Sequence, residues 1–227
     1  MIDSQKYPHL ECNFICAGSW NTNLWELPNG LLWVAIPKCG SMTIRKTNGY
    51  AGRKVGNVHQ RCPGAYERDD VLKYKEGFVV LREPLDRFKS LIAWYFINRC
   101  DRGLKIKYSM AGLNWLRKLN LSDNPDGIVE NVLRNFEKLQ SITGPEHWNT
   151  QKSFIPPAFY ELENPHFYDM AWLRKNYAII TNTGPSSLVK ISEEQREVIL
   201  KIYEEDVELY NTHTIEPTLT VTSDHPV

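Results

Sequence analysis

The sequence has no long hydrophobic run. None of its 227 residues lies in a stretch that approaches the ~20 consecutive apolar residues of a membrane-spanning helix. Residues 1–9 also lack a basic segment followed by an apolar run, the pattern of a secretory signal. We therefore expect a protein without a transmembrane segment, located in the cytoplasm.

Cysteine is scarce, and its distribution argues against a fold stabilised by disulfide bonds or by a metal ion. The chain has five cysteines, an odd number scattered along the sequence: Cys12, Cys16, Cys39, Cys62 and Cys100. This pattern is typical of reduced thiols and not of a disulfide framework. His9, Cys12 and Cys16 have no second pair of ligands at a suitable spacing, so we predict no metal site.

Net charge is also absent, because 27 basic residues balance 27 acidic ones. Bulk electrostatics therefore gives no reason to expect nucleic acid or an anionic membrane as a partner, and any anion binding must be local. With 42% hydrophobic residues the chain can bury a sizeable core. We expect one domain over residues 1–211 and a C-terminal tail over 212–227.

The most informative stretch runs from residue 31 to residue 48. Residues 31–36 are apolar and predict a short buried strand, which Pro37 ends. A turn rich in hydrogen-bond donors follows and leads into a helix, with Lys38 at its start. Backbone N–H groups at a helix N-terminus, together with a lysine, favour an anion. The lysine precedes the glycine here, so the stretch is not a Walker A sequence.

A second strand-to-helix segment carries a further cation. Residues 78–81 predict a buried strand that ends at Arg82, and Pro84 suits the first turn of the following helix. Ser90 lies eight residues after Arg82, so the two side chains can hold one phosphate from two sides. The apolar stripe of this helix comprises Leu85, Phe88, Leu91, Ile92, Tyr95 and Phe96.

Later segments complete an α/β pattern. We predict a helix with an apolar face over about 128–139, an irregular segment over 145–167, a third strand over 177–180 and one long helix from Ser192 to about Tyr210. Short apolar strands that each lead into a helix favour a central, mostly parallel sheet flanked by helices. Lys38 and Arg82 follow strand ends, where such sheets bind ligands, so both can face one ligand.

In this order, the two segments resemble the sulfotransferase superfamily, and in particular the carbohydrate (Golgi-type, family 2-like) sulfotransferases. The resemblance rests on Pro37-Lys38-Cys39-Gly40-Ser41 and on residues 78–90, with their Arg-acidic-Pro core and the spacing from Arg82 to Ser90. Residues 146–151 and the helix around 202–206 fit this branch less specifically. The resemblance implies a P-loop-like nucleotide-binding sulfotransferase fold, and Golgi members are anchored, so a lumenal origin would fit only a truncated chain.

The resemblance also implies roles for individual residues. The donor would be 3′-phosphoadenosine 5′-phosphosulfate, the product 3′-phosphoadenosine 5′-phosphate, and the acceptor a hydroxyl of a carbohydrate or similar molecule. Lys38 would be catalytic and would bind the donor, and Arg82 and Ser90 would bind its 3′-phosphate. The 5′-phosphosulfate would lie against Cys39, Gly40, Ser41, Met42 and Thr43. Met42 stands where the family usually has threonine.

A sulfotransferase needs a general base for the acceptor hydroxyl, and the sequence offers several. His59 lies between the two motifs and titrates near neutral pH, which makes it the first candidate. The rivals are Glu67, Asp69, Asp70 and His147. His147 and Trp148 are candidates for binding the acceptor, since tryptophan can stack on a sugar, although most tryptophans belong to the core.

Two other functions remain open from the sequence. A nucleotide-dependent phosphotransferase uses a similar strand-turn-helix arrangement, although the absence of Gly-Lys-Ser/Thr argues against it. A catalytically silent glycan-binding module on the same fold is the second alternative, which Met42 leaves open.

Overall fold

The computed structural model describes residues 24–48, 53–55, 68–94, 127–137, 148–177 and 186–214. The strands are β1 (Leu24–Glu26), β2 (Leu32–Val34), β3 (Arg53–Lys54), β4 (Glu76–Val80) and β5 (Asn164–Tyr168). The α-helices are α1 (Ser41–Thr47), α2 (Arg68–Leu72), α3 (Pro84–Ile92), α4 (Ile128–Arg134), α5 (Met170–Asn176), α6 (Glu193–Ile202) and α7 (Glu204–His213). Short 3-10 helices cover Lys152–Phe154, Pro157–Glu161 and Ser186–Leu188. Over these ranges, no helix is long and apolar enough to cross a membrane.

The strands form one sheet in the order β3-β1-β2-β4-β5, with helices on both faces. β2, β4 and β5 are parallel, whereas β1 is antiparallel to both β2 and β3. The α/β class is confirmed, but the sheet is mixed, so the prediction of a mostly parallel sheet is wrong. The cause is a tight turn between β1 and β2, in which the N–H of Leu27 donates to the carbonyl of Leu31 at 2.9 Å.

Strand β5 corrects the prediction that residues 145–167 are irregular. It pairs with β4 over its whole length, from Glu76 opposite Asn164 to Val80 opposite Tyr168. Pro165 made the sequence read as a loop, yet proline is tolerated at the edge of a sheet, where β5 lies among the described strands. The pairing is set by contact with β4, which a local sequence pattern does not show.

The apolar strands divide their side chains between two layers. On one face, Trp33 and Phe78 pack with Leu173 of α5 and Ile44 of α1. On the other face, the core comprises Leu32, Val34, Val79, Phe154, Phe159 and Leu209. A third cluster joins α3, α4 and α6, with buried Phe88, Leu91, Ile92, Ile128, Val129, Val132, Leu133, Phe136, Val198 and Ile199. It confirms the predicted apolar faces over the described residues, whereas Tyr95 and Phe96 of the predicted stripe lie outside them.

The helix predicted from Ser192 to about Tyr210 is two helices, α6 and α7, separated at Tyr203. Its capping box is confirmed, because the Ser192 hydroxyl accepts from the Gln195 N–H at 3.3 Å and the Gln195 side chain accepts from the Ser192 N–H at 3.1 Å. The third strand predicted over 177–180 lies outside the described residues, except for Tyr177. Most of the predicted tail, 212–227, also lies outside them.

Candidate functional site

The turn after β2 holds its backbone in an unusual conformation. Residues 37–40 form the turn, in which Lys38 has φ 68° and Gly40 has φ 78°. The left-handed region costs a non-glycine residue about 1–2 kcal/mol. Such strain tends to collect at functional sites, where the surrounding structure imposes it. The conformation of Lys38 is therefore an independent reason to examine this turn.

Gly40 is required at its position for a second reason, which is space. A Cβ added to Gly40 would collide with Cδ2 of Leu173 on α5. The helix that follows β5 therefore packs directly against the turn that follows β2. The two connections meet at the carboxyl edge of the sheet, where the sequence placed the site.

Helix α1 begins at this turn and leaves several donors available. The carbonyl of Gly40 accepts from the N–H groups of Thr43 and Ile44 at 2.9 and 3.2 Å. In the described part of the chain, no hydrogen bond uses the N–H of Gly40, Ser41 or Met42. The side chain of Thr43 is buried, whereas Ser41 and Met42 are partly exposed. Met42, not Thr43, therefore presents its side chain at the surface of this first turn.

Lys38 and Arg82 meet, as the sequence predicted for residues at neighbouring strand ends. β2 and β4 are adjacent and parallel, with Val34 opposite Val79. Beyond them, Nη1 of Arg82 donates a hydrogen bond to the backbone carbonyl of Lys38 at 3.3 Å. Both side chains are partly buried. The structure thus brings the two predicted cations together at one edge of the sheet.

Burial and mutual repulsion disturb the ionisation of both cations. Burial first, and then the positive charges of Arg82 and Arg87, lower the pKa of Lys38 to about 8. Burial is also the largest cause that lowers the pKa of Arg82, and the positive charge of Arg174 on α5 lowers this pKa as well. A bound anion would relieve this repulsion, because it stabilises the charged form of each group.

Among the residues that the structure describes, no carboxylate is paired directly with either of these two cations. Asp86 is the acidic residue whose charge favours ionised Arg82. The Glu83 side chain is engaged elsewhere, because it accepts from the N–H of Asp86 at 2.7 Å and caps α3. Positive charge is therefore left over at this edge, as an anion site requires.

Lys38 has an aromatic neighbour that the sequence reading did not single out. Its Nζ lies 4.5 Å from the ring centroid of Trp94, at the distance of a cation–π contact. The Trp94 side chain is 39% exposed, which is unusual for a large apolar residue. Trp94 thus forms part of the surface beside the amino group of Lys38.

Gln151 connects the two cation-bearing segments from inside the protein. Its Oε1 accepts from the N–H of Arg82 at 2.9 Å and from Sγ of Cys39 at 3.0 Å. Its Nε2 donates to the carbonyl of Arg82 at 2.8 Å. The side chain is completely buried. Burial raises the pKa of Cys39 to about 11, so its thiol is neutral and donates this hydrogen bond.

A buried ion pair lies beneath the turn. Arg87 and Asp206 are 1% and 0% exposed, and their Nη1 and Oδ2 atoms are 3.8 Å apart. Nε of Arg87 donates to the carbonyl of Pro37 at 3.3 Å, and its Nη1 donates to the carbonyl of Asn149 at 2.8 Å. Arg87 therefore links α3, the turn, the segment before Gln151 and the terminal helix α7.

Trp148 corrects a prediction about the acceptor site. Its side chain is 1% exposed and packs edge-on against Phe88 and Phe136, at centroid distances of 6.1 and 6.0 Å. It therefore belongs to the core, and in this structure its ring is not accessible to a sugar.

Ser90 lies on α3 and is partly exposed, and it makes no hydrogen bond with Arg82.

The candidates for the general base are only partly covered. His59, Glu67 and His147 lie outside the described residues. Asp69 and Asp70 lie on α2, which leads directly into the start of β4. Arg68 of the same helix binds Glu161, shortly before the start of β5. This placement argues against Asp69 and Asp70 as the base, because Lys38 and Arg82 lie where the parallel strands end.

The comparisons give no relative: the sequence matches no family model and no curated protein, and no solved structure matches the chain. The geometry of the site therefore carries the functional argument. Sequence reasoning missed Gln151, Arg87, Asp206 and Trp94. Gln151 and Asp206 lay in stretches that contributed to the family resemblance, but only the fold shows that both reach under the turn.

Proposed function

We propose that this protein is a sulfotransferase that moves a sulfuryl group from 3′-phosphoadenosine 5′-phosphosulfate to a hydroxyl of a carbohydrate or similar acceptor. The observation that carries the proposal is the contact between Lys38 and Arg82 at the carboxyl ends of neighbouring parallel strands. Neither cation has a carboxylate partner in the described residues. Two uncompensated, partly buried cations at this edge suit an anionic ligand.

The residues present fit a donor with two separated anionic groups. Lys38 and the unused N–H groups of Gly40, Ser41 and Met42 would hold the 5′-phosphosulfate. Arg82, with Ser90 on α3, would hold the 3′-phosphate. The donor supplies the activated sulfuryl group. Residues 37–41 and 78–90 also carry the resemblance to sulfotransferases, so geometry and sequence favour the same ligand.

Lys38 is the residue nearest to the proposed chemistry. With a pKa of about 8, its amino group is mostly protonated at neutral pH. Its positive charge would stabilise the negative charge that develops on the phosphate oxygen as the sulfuryl group leaves. The acceptor oxygen forms the new bond to sulfur and loses its proton to a base, for which His59 is the first residue to test.

Binding of 3′-phosphoadenosine 5′-phosphate, measured by calorimetry, tests the donor site. We expect wild type to bind, and we expect Lys38→Ala and Arg82→Ala each to weaken binding by about tenfold or more, since a charge-assisted contact contributes about 1.5–3 kcal/mol. Lys73→Ala is the matched control, because it removes a cation at the start of β4. If wild type does not bind the nucleotide, the proposal fails.

Transfer of labelled sulfate to a panel of glycans and small alcohols tests the reaction. Transfer by wild type that is lost in Lys38→Ala would exclude a silent glycan-binding module. Tighter binding of ATP with magnesium than of the 3′-phosphorylated nucleotide would instead favour the phosphotransferase. The panel also identifies the acceptor class directly.

A further inference from the structure

Gln151 occupies a gap that opens between two neighbouring strands. The N–H of Leu81 donates to the carbonyl of Tyr168 on the β5 side at 2.7 Å. Successive residues of a strand direct their backbone groups to opposite sides, so Arg82 directs its own toward β2. There the chain has already turned away at residues 37–40. The Gln151 side chain takes the place of the missing strand and pairs with both backbone groups of Arg82.

The same amide also holds the other cation-bearing segment. Cys39, the neighbour of Lys38, donates its thiol hydrogen to Gln151, and the carbonyl of Lys38 accepts from Arg82. These contacts close a ring that runs from Gln151 to Cys39, to Lys38, to Arg82 and back to Gln151. A ring of this kind fixes the position of one cation relative to the other.

Backbone hydrogen bonds hold the segment that carries Gln151. Its carbonyl accepts from the N–H of Phe154 at 3.0 Å. The next residue, Lys152, donates its N–H to Oδ1 of the buried Asp206 at 3.1 Å. The terminal helix thus anchors the segment that carries Gln151.

We propose that Gln151 is a positioning residue that holds Lys38 and Arg82 at the separation required for both anionic groups of the donor. The inference rests on the proposed function, and it names a residue that would not touch the ligand. Glutamine suits the role because one amide group must accept from Arg82 N–H and donate to Arg82 C=O together. Methionine has a similar length but offers no such pair, and an ionised glutamate only accepts.

The first experiment compares Gln151→Met with a matched control, Asn149→Leu. Both replace a buried amide by an apolar group of similar size, but the Asn149 side chain makes no hydrogen bond to Arg82. Affinity for 3′-phosphoadenosine 5′-phosphate is measured by calorimetry well below the unfolding temperature of each variant. We expect about tenfold weaker binding or more for Gln151→Met, which loses three hydrogen bonds to Cys39 and Arg82, and less than about threefold for Asn149→Leu, which loses none of them. Equal losses in the two variants would overturn the proposal.

A second measurement does not depend on the nucleotide. The titration of Lys38, followed by the NMR signal of its side-chain Cε in the ligand-free protein, reports its surroundings directly. We expect Gln151→Met to move the pKa of Lys38 toward its ordinary value, because the turn loosens and admits water, while Asn149→Leu leaves it in place. An unchanged Lys38 titration in Gln151→Met would overturn the proposal. A wild type that binds no nucleotide would instead contradict the proposed function alone.

Discussion

Arg87 and Asp206 form an ion pair that is almost completely buried, with Nη1 and Oδ2 at 3.8 Å. Arg87 also donates to the carbonyl of Pro37, so the pair connects α7 to the turn that carries Lys38. Burial is the first cause that raises the pKa of Asp206, and Arg87 opposes it. The pair lies beneath the proposed site and does not form its surface.

Removal of one partner should therefore destabilise the protein strongly. We expect Asp206→Leu to lower the free energy of unfolding by about 3–5 kcal/mol, because it leaves the buried guanidinium without its carboxylate. The double variant Asp206→Leu/Arg87→Met should lower the free energy of unfolding by less than the sum of the two single variants, since it buries no unpaired charge. Urea unfolding of the four proteins measures this. Strict additivity would contradict a coupled pair.

The affinity of the site for nucleotide should fall in mildly alkaline solution. The pKa of Lys38 is about 8, well below the ordinary lysine value, so its charge is lost as the pH rises through that value. We expect binding of 3′-phosphoadenosine 5′-phosphate to weaken by about fivefold between about pH 8 and 9. Calorimetry over that range measures the change. In Lys38→Arg the charge persists, so an equally steep fall in that variant would assign the effect to another group.

Local patterns were sufficient for strands β2 and β4 and for the helices that follow them. The apolar runs of β2 and β4, and the spacing of Phe88, Leu91 and Ile92 on α3, predicted elements that the structure confirms. The mixed sheet, the strands β1, β3 and β5, and the helices α2 and α5 were not predicted. The sheet and its strands depend on pairing between segments, and Pro165 masked the strand pattern of β5. Sequence periodicity reports burial of a segment, and it does not report which neighbour supplies the hydrogen bonds.

The site was predictable where its residues follow strands. Lys38 and Arg82 come directly after β2 and β4, so the topology alone brings them together. Gln151 and Asp206 lie far along the chain and act through buried hydrogen bonds, for which a sequence has no periodic signal. Trp148 was a candidate for binding the acceptor but lies in the core. A sequence does not distinguish a buried tryptophan from one that stacks on a sugar.

Gly40 should resist substitution more than Gly30, although both have positive φ. Gly40 has φ 78° and no room for a Cβ beside Leu173, whereas Gly30 has φ 81° and open space around it. We expect Gly40→Ala to lower the free energy of unfolding by about 2–4 kcal/mol, from backbone strain and overpacking. Gly30→Ala should cost only about 1 kcal/mol, from backbone strain alone. Thermal and urea unfolding compare the two, and equal costs would contradict the close approach of α5.

Lys38 should reduce the stability of the folded protein near neutral pH. Its pKa is lower in the folded state, about 8, than the ordinary value of 10.5, so folding penalises the charged form. The penalty is complete below about pH 8 and disappears as the pH rises toward the ordinary value, because lysine then deprotonates in both states. We expect Lys38→Met to raise the free energy of unfolding by about 1–2 kcal/mol near neutral pH, after allowance for solvent screening of a partly exposed group. The gain should shrink above pH 8, which urea unfolding at several pH values measures, while nucleotide binding near neutral pH is weaker than in wild type. A gain that does not vary with pH would show that the buried charge is not the cost that Lys38 imposes.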